Sequence, residues 1–162
     1  MTVSNREFTA LVDKGAYPTQ VSVPLDEPFV NHNGVIQNLL LERFTSAAII
    51  TSVAGAVRAN HYHKTDWHYS YVLRGAVWYY WRPADSRARP EFQVFGPGTM
   101  FFTPPLVEHA MFFPEETAFL TFAKNIRDHE HHESDLIRVK LVEVQRDPAA
   151  DGGWQITFPT SP

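Results

Sequence analysis

His61, His63, His68 and His109 are the residues of this chain whose type and spacing could do chemistry. His61 and His63 stand two apart in a segment of extended character, so their side chains point to the same face of a sheet. Neutral imidazole is a favoured ligand of zinc, copper, iron and nickel, and two rings on one face are the start of a metal site. A four-residue gap, 64–67, suits a turn that brings His68 back to face the pair. His109 repeats the logic: Gly98 feeds a strand, Pro104 and Pro105 make a bend, and the histidine follows. Imidazoles gathered from three strands could bind one divalent transition metal, with zinc, nickel, iron and manganese as candidates. One or two coordination positions would remain open for water or substrate. Asp66 lies in the turn between His63 and His68, where a carboxylate could orient a ligand imidazole or serve only the turn.

Other side chains come into view by alternation. If His68 points inward, Ser70 and Val72 do too, and Tyr69, Tyr71 and Leu73 face the other way. The run Val77-Trp78-Tyr79-Tyr80-Trp81 must place rings on both faces. Most of these suit a core, with a platform for a flat ligand as the functional alternative at Trp81. Arg58, before the histidine pair, could hold a carboxylate or phosphate or be a surface charge. Arg58, Ser70 and Trp81 are therefore the candidate substrate contacts. His32 has no partner pattern and reads as a turn residue. The run Asp128-His-Glu-His-His-Glu133 reads as a solvated loop rather than a second metal site.

The elements that must position these residues are short strands. Extended runs are expected over 35–43, 47–53, 59–63, 67–73, 76–82, 91–95, 100–103, 110–113, 117–123 and 136–144. Asn33-Gly34, Gly55, Gly75, Pro83-Ala84-Asp85, Gly96-Pro97-Gly98 and Pro114-Glu115 supply the turns between them. With 14% aromatic residues and 12 prolines in 162 residues, the expectation is an all-β sandwich or closed barrel. Residues 1–30 read as an arm, with a short helix over 4–14 and prolines at 18, 24 and 28 that forbid continuous structure. Residues 31–145 form the barrel, and 146–162 a surface tail in which Trp154, Ile156 and Phe158 alternate like a short strand. The chain has no cysteine, which excludes thiolate ligands, thiol nucleophiles and disulfides and fits a reducing cytoplasm. A net charge of −4 without a basic cluster argues against nucleic acid, and no apolar run suits a membrane span or signal peptide.

The histidine segments resemble the two cupin motifs, G-x5-H-x-H-x4-E-x6-G and G-x5-P-x-G-x2-H-x3-N. Gly55, His61, His63 and Gly75 fall on the first, and Gly98, Pro104 and His109 on the second. His68 stands where the family has Glu, and Leu106 and Phe113 replace the later Gly and Asn. The resemblance implies a double-stranded β-helix, the cupin jelly-roll barrel, with a metal ligated by His61, His63, His68 and His109. Without the carboxylate ligand, the ion would keep its full charge and favour anionic partners. A finer likeness is to small cupins of nucleotide-sugar and capsular polysaccharide biosynthesis, carried by 33–39, 57–65, 71–75, 102–105, His109 and 133–138. It implies isomerisation or epimerisation of a keto-sugar or similar small polar metabolite, with Tyr79 and His109 as proton-transfer candidates, and a homodimer. Two alternatives stay open: a ferrous cupin dioxygenase, and a non-enzymatic small-molecule binder.

Overall fold

The computed structural model describes residues 18–159, so the helix expected over 4–14 lies outside the described residues. Two five-stranded antiparallel sheets face each other. The first runs β1 (Ser22–Val23), β9 (Met100–Thr103), β6 (His68–Arg74), β11 (Thr117–Ala123) and β4 (Ser46–Ser52) in spatial order. The second runs β12 (Leu136–Arg138), β5 (Val57–His63), β10 (Val107–Phe112), β7 (Val77–Pro83) and β8 (Glu91–Phe95). This is the all-β jelly-roll expected from the strand pattern. Among the described residues, no helix is long and apolar enough to cross a membrane.

Period-two alternation decides what each strand buries. On β6, Val72 enters the core between the sheets, whereas Tyr69 turns to the outer face. On β7, Val77 and Tyr79 point in, and Trp78 and Tyr80 point out. The inner core joins Val72, Val77, Tyr79, Phe95, Phe101, Phe113 and Phe119. Each such side chain contributes roughly 1.5–3 kcal/mol by leaving water. Two glycines of the motif have steric reasons to be there. Both take positive φ, and a Cβ on Gly55 would strike the Trp154 ring, while one on Gly75 would meet the Glu116 carbonyl and Thr117.

The structure departs from the sequence expectations in three places. The strand expected over 35–43 is cut to β3 (Gly34–Ile36), which pairs with β2 (Phe29–Asn31) as a hairpin. Leu39 and Leu40 beyond it pack on the outer face of the first sheet without joining a ladder. The run expected over 136–144 breaks into β12 and β13 (Glu143–Arg146). The solvated loop expected over 128–133 is instead part of a helix, α1 (His129–Asp135), because Asp128 caps it by accepting from the His131 N–H. The short strand read from the alternation of Trp154, Ile156 and Phe158 is present as β14 (Trp154–Thr157), which pairs with β13. Trp154, Ile156 and Phe158 then pack, with Leu141 and Val142, against Tyr80 and Phe112 on the outer face of the second sheet.

Candidate active site

The histidines meet between the sheets on the side where β4 and β12 are the edge strands. His61 and His63 share a face of β5, and His109 on β10 pairs directly with His61 across the ladder. The His61 ring centroid lies 4.7 Å from that of His63 and 4.8 Å from that of His109. Ligand atoms of these three side chains all fall within 4.8 Å of one another. A β-bulge precedes them: His109 opposes His61 but Ala110 opposes Ala59, so Asn60 is the extra residue. Ala59 and Asn60 both adopt left-handed backbone, with φ of 67° and 52°. Asn60 turns away from the cavity, where its amide donates to the Val142 carbonyl at 2.9 Å and accepts from the Val142 N–H at 3.0 Å. Arg58 lines the cavity together with Val57 and Ala59 on either side of it.

The imidazoles are anchored from behind. His63 Nδ1 lies 3.2 Å from the Asp135 carboxylate, which also accepts from the Thr65 hydroxyl and the Thr65 and Asp66 N–H groups. His109 Nδ1 lies 3.1 Å from the Val107 carbonyl, so it carries the proton there and leaves Nε2 as a lone pair. The Nε2 atom of His63 is buried with no hydrogen-bond partner among the described residues. Burial lowers His61 to about 2, helped by repulsion from His109 and His63. Burial likewise brings His109 to about 3, against the Val107 bond, and His63 to about 4. All three rings are uncharged at neutral pH, the state in which imidazole offers a lone pair to a metal.

His68 belongs to a second, overlapping group, since ligand atoms of His63, Asp66 and His68 also lie within 4.8 Å of one another. Its ring lies 4.6 Å from that of His63, but its Nε2 lies 2.9 Å from Asp66 Oδ2. Asp66 Oδ1 accepts from the backbone N–H groups of Trp67 and Asn125, which fixes the carboxylate. Asp66 therefore does orient an imidazole, and that imidazole is His68.

A cavity of about 270 Å³ opens onto the site, lined by His61, His68, His109 and Arg58 among others. The remaining sequence candidates sit off its walls. Tyr79 is fully buried, its hydroxyl 2.7 Å from Thr103 Oγ1 and its ring stacked 6.1 Å from that of His109. Burial also raises its pKa, so this side chain is core beneath the site. Trp81 packs on the same core and stacks on Tyr79, and Ser70 is buried on β6 opposite Thr121.

The sequence reading assigns no role to several site residues, although Glu133, Asp135 and Arg138 fall in the 133–138 stretch that carries the finer likeness. Asp135 is 72 residues from the imidazole that it anchors. Arg127, His132, Glu133 and Arg138 all line the cavity, from the segment beyond β11 through α1 to β12. The His132 ring reaches within 5.5 Å of His63 and 6.2 Å of His61.

No family model and no curated protein matches the chain. Solved structures do. The QdtA 3,4-ketoisomerase from Thermoanaerobacterium thermosaccharolyticum, in complex with TDP, superposes with a TM-score of 0.59 at 22% identity. That match covers 75% of this chain and 89% of the other. A 3,4-ketoisomerase from Helicobacter canadensis matches with a TM-score of 0.57 at 12% identity, over 69% and 85% of the two chains. WlaRA, a TDP-fucose-3,4-ketoisomerase from Campylobacter jejuni, gives 0.57 at 11% identity, over 68% and 83%. The shared fold is the all-β jelly-roll barrel. At these identities the likeness speaks to architecture alone, and the chemistry must be argued from the cavity.

Proposed function

We propose that this chain isomerises a nucleotide-linked keto-sugar by moving a proton between the carbons next to a carbonyl, and that it works as a homodimer with one divalent transition metal. The observation that carries the reading is an uncharged imidazole trio, two of whose rings, His61 and His109, line the same cavity as the Asp66-anchored His68. The structures sharing this fold include a 3,4-ketoisomerase solved with TDP and with TDP-4-keto-6-deoxyglucose, which supports the substrate class.

The trio of His61, His63 and His109 fits a transition metal. It offers three neutral nitrogen donors, two of them with the other ring nitrogen anchored, and the orphaned Nε2 of His63 lacks any other use. A bound divalent ion would supply positive charge that polarises a substrate carbonyl. His68 is better suited to carry a proton than to complete the ligand set. The Asp66 carboxylate holds the proton on Nε2 and leaves Nδ1 able to exchange one. In a 3,4-shift, His68 Nδ1 takes the C3 proton and the same nitrogen returns a proton to C4. The C3 hydroxyl proton moves to the C4 oxygen, so the carbonyl changes place and no redox partner is consumed. Tyr79, with its hydroxyl committed to Thr103, takes no part in this scheme.

The test is solvent exchange. TDP-4-keto-6-deoxyglucose incubated with the protein in D2O under nitrogen is expected to lose its C3 proton signal in the NMR spectrum as deuterium enters. No exchange above the protein-free rate, with the metal-loaded protein, would sink the isomerase reading. The trio without a carboxylate also favours a second reading, oxidation by dioxygen at ferrous iron. Oxygen uptake by iron-loaded protein, with no exchange under nitrogen, is the outcome that selects it.

A further inference from the structure

The cavity wall carries a positive charge that the isomerase chemistry does not use. Arg127 lines the cavity, and its Nη1 is buried with no hydrogen-bond partner among the described residues. Arg58 lines the same cavity and is held in place by donating from Nε to the Ser52 hydroxyl at 2.8 Å and from Nη2 to the Thr51 carbonyl at 2.9 Å. Neither guanidinium has a carboxylate within ion-pair distance among the described residues. The third arginine of the wall, Arg138, is occupied by Glu133 at 2.6 Å. Asp66, the acid that attracts Arg127, already serves His68 and two backbone N–H groups.

Arg127 is half-buried and Arg58 exposed, both keep their charge, and the buried Nη1 of Arg127 is a donor left without an acceptor, which is unfavourable. Burial pushes the Arg127 pKa down, the attraction of Asp66 opposes the fall, and a smaller repulsion from Arg58 adds to it, so the two cations feel each other across the cavity. His61 and His109 on the same wall are uncharged and supply no countercharge. An oxyanion between the two guanidiniums would, and planar N–H groups suit its paired oxygens.

We infer that Arg127 and Arg58 form an oxyanion seat beside the imidazole trio, and that the ligand carries a phosphate or carboxylate group that docks there. The inference rests on the proposed substrate class for its place in catalysis but not for the binding itself. A sugar linked to a nucleoside diphosphate would set its phosphate on Arg127 and point its ring at His68. A small carboxylate metabolite would use the same seat.

Calorimetric titration of the full chain tests the seat, in low salt and after chelation so that a metal cannot hold the anion. The probes are inorganic phosphate, TDP and acetate, and the proteins are the parent, R127Q, R127K and R58Q. The expected result is binding of at least one probe that weakens about 10- to 100-fold in R127Q and less in R127K, as for loss of a charge-assisted hydrogen bond. Phosphate or TDP binding without acetate binding assigns the seat to a phosphate, and acetate binding alone assigns it to a carboxylate. No probe binding to the parent, or unchanged affinity in a folded R127Q, overturns the inference. Should R127Q fail to fold, R58Q decides by the same criterion. Loss of deuterium exchange with anion binding intact would strike the isomerase reading and leave the seat standing.

Discussion

Three imidazoles that remain neutral because they are buried give this fold a definite response to acid. In the unfolded chain a histidine titrates near 6.5, whereas His61, His109 and His63 hold off protons to about 2, 3 and 4. Between these limits the unfolded state binds more protons, so stability falls as pH falls below 6.5. Each ring contributes a slope of up to about 1.4 kcal/mol per pH unit. Asp66 and Asp135 are held below the usual carboxylate range, so what they add is present above 3.8 and lost only beneath it, outside this window. Urea denaturation of chelated protein at pH 7.5, 6 and 5 should show the decline, and a shallower one in His61→Phe. A flat profile would mean that these rings titrate normally. Asp66→Asn probes the proton carrier. It can keep the oxygen that accepts from Trp67 and Asn125 while presenting an N–H to His68, which favours the wrong tautomer. Exchange at C3 should slow about 10²- to 10⁴-fold with a near-native melting temperature. An undiminished rate would remove His68 from that role.

At the scale of elements, the β5 bulge is the feature on which the site turns. Two consecutive non-glycine residues in left-handed backbone are expensive, about 1–2 kcal/mol each, and the Asn60–Val142 amide pair is what offsets the cost. Asn60→Ala should lose about 2–4 kcal/mol in chemical denaturation, and Asn60→Gly about 1 kcal/mol less because glycine accepts the backbone freely. Equal losses in the two variants would show that backbone conformation is not the issue. This element also marks where the sequence stops being readable. Alternation places His61 and His63 on one face, Val72 inward and Tyr69 outward, because period two is a property of any strand. The bulge carries no such mark, since neither Ala59 nor Asn60 is the glycine that usually announces positive φ. Arg127 is equally silent, and the likeness over 133–138 points at Asp135 without giving its role: both roles depend on α1 and the segment before it closing over β5, a long-range contact without local pattern. The charged run at 128–133 reads as loop until Asp128 is recognised as a helix cap.

For the whole molecule, the two sheets are covered unequally. The chain's own 139–158 segment packs over the second sheet through Leu141, Val142, Trp154 and Phe158. Among the described residues the first sheet is only partly covered, by Leu25, Leu39 and Leu40, and Ile49 and Leu73 remain 67% and 44% exposed. The β2–β3 hairpin is in a similar position. Val30 faces Val35 on one side and Phe29 faces Ile36 on the other, and all four are 60–65% exposed. A two-stranded hairpin with apolar side chains on both faces is marginal in water by itself. Both uncovered surfaces belong to one chain, so a two-fold axis lets each copy's hairpin cover the partner's sheet and be covered in return. The proposed homodimer thus has a specific geometry. Light scattering behind size exclusion should give twice the 18.5 kDa chain mass. Val30→Lys/Val35→Lys should shift the protein to monomer while its far-UV spectrum keeps the strand signature, since the barrel core lies elsewhere. A parent that stays monomeric across a concentration series would refute the dimer, and a variant that stays dimeric would place the interface away from the hairpin. Because the site is built from β4, β5, β6, β10, α1 and β12 of a single chain, the monomeric variant should still bind anion through Arg127.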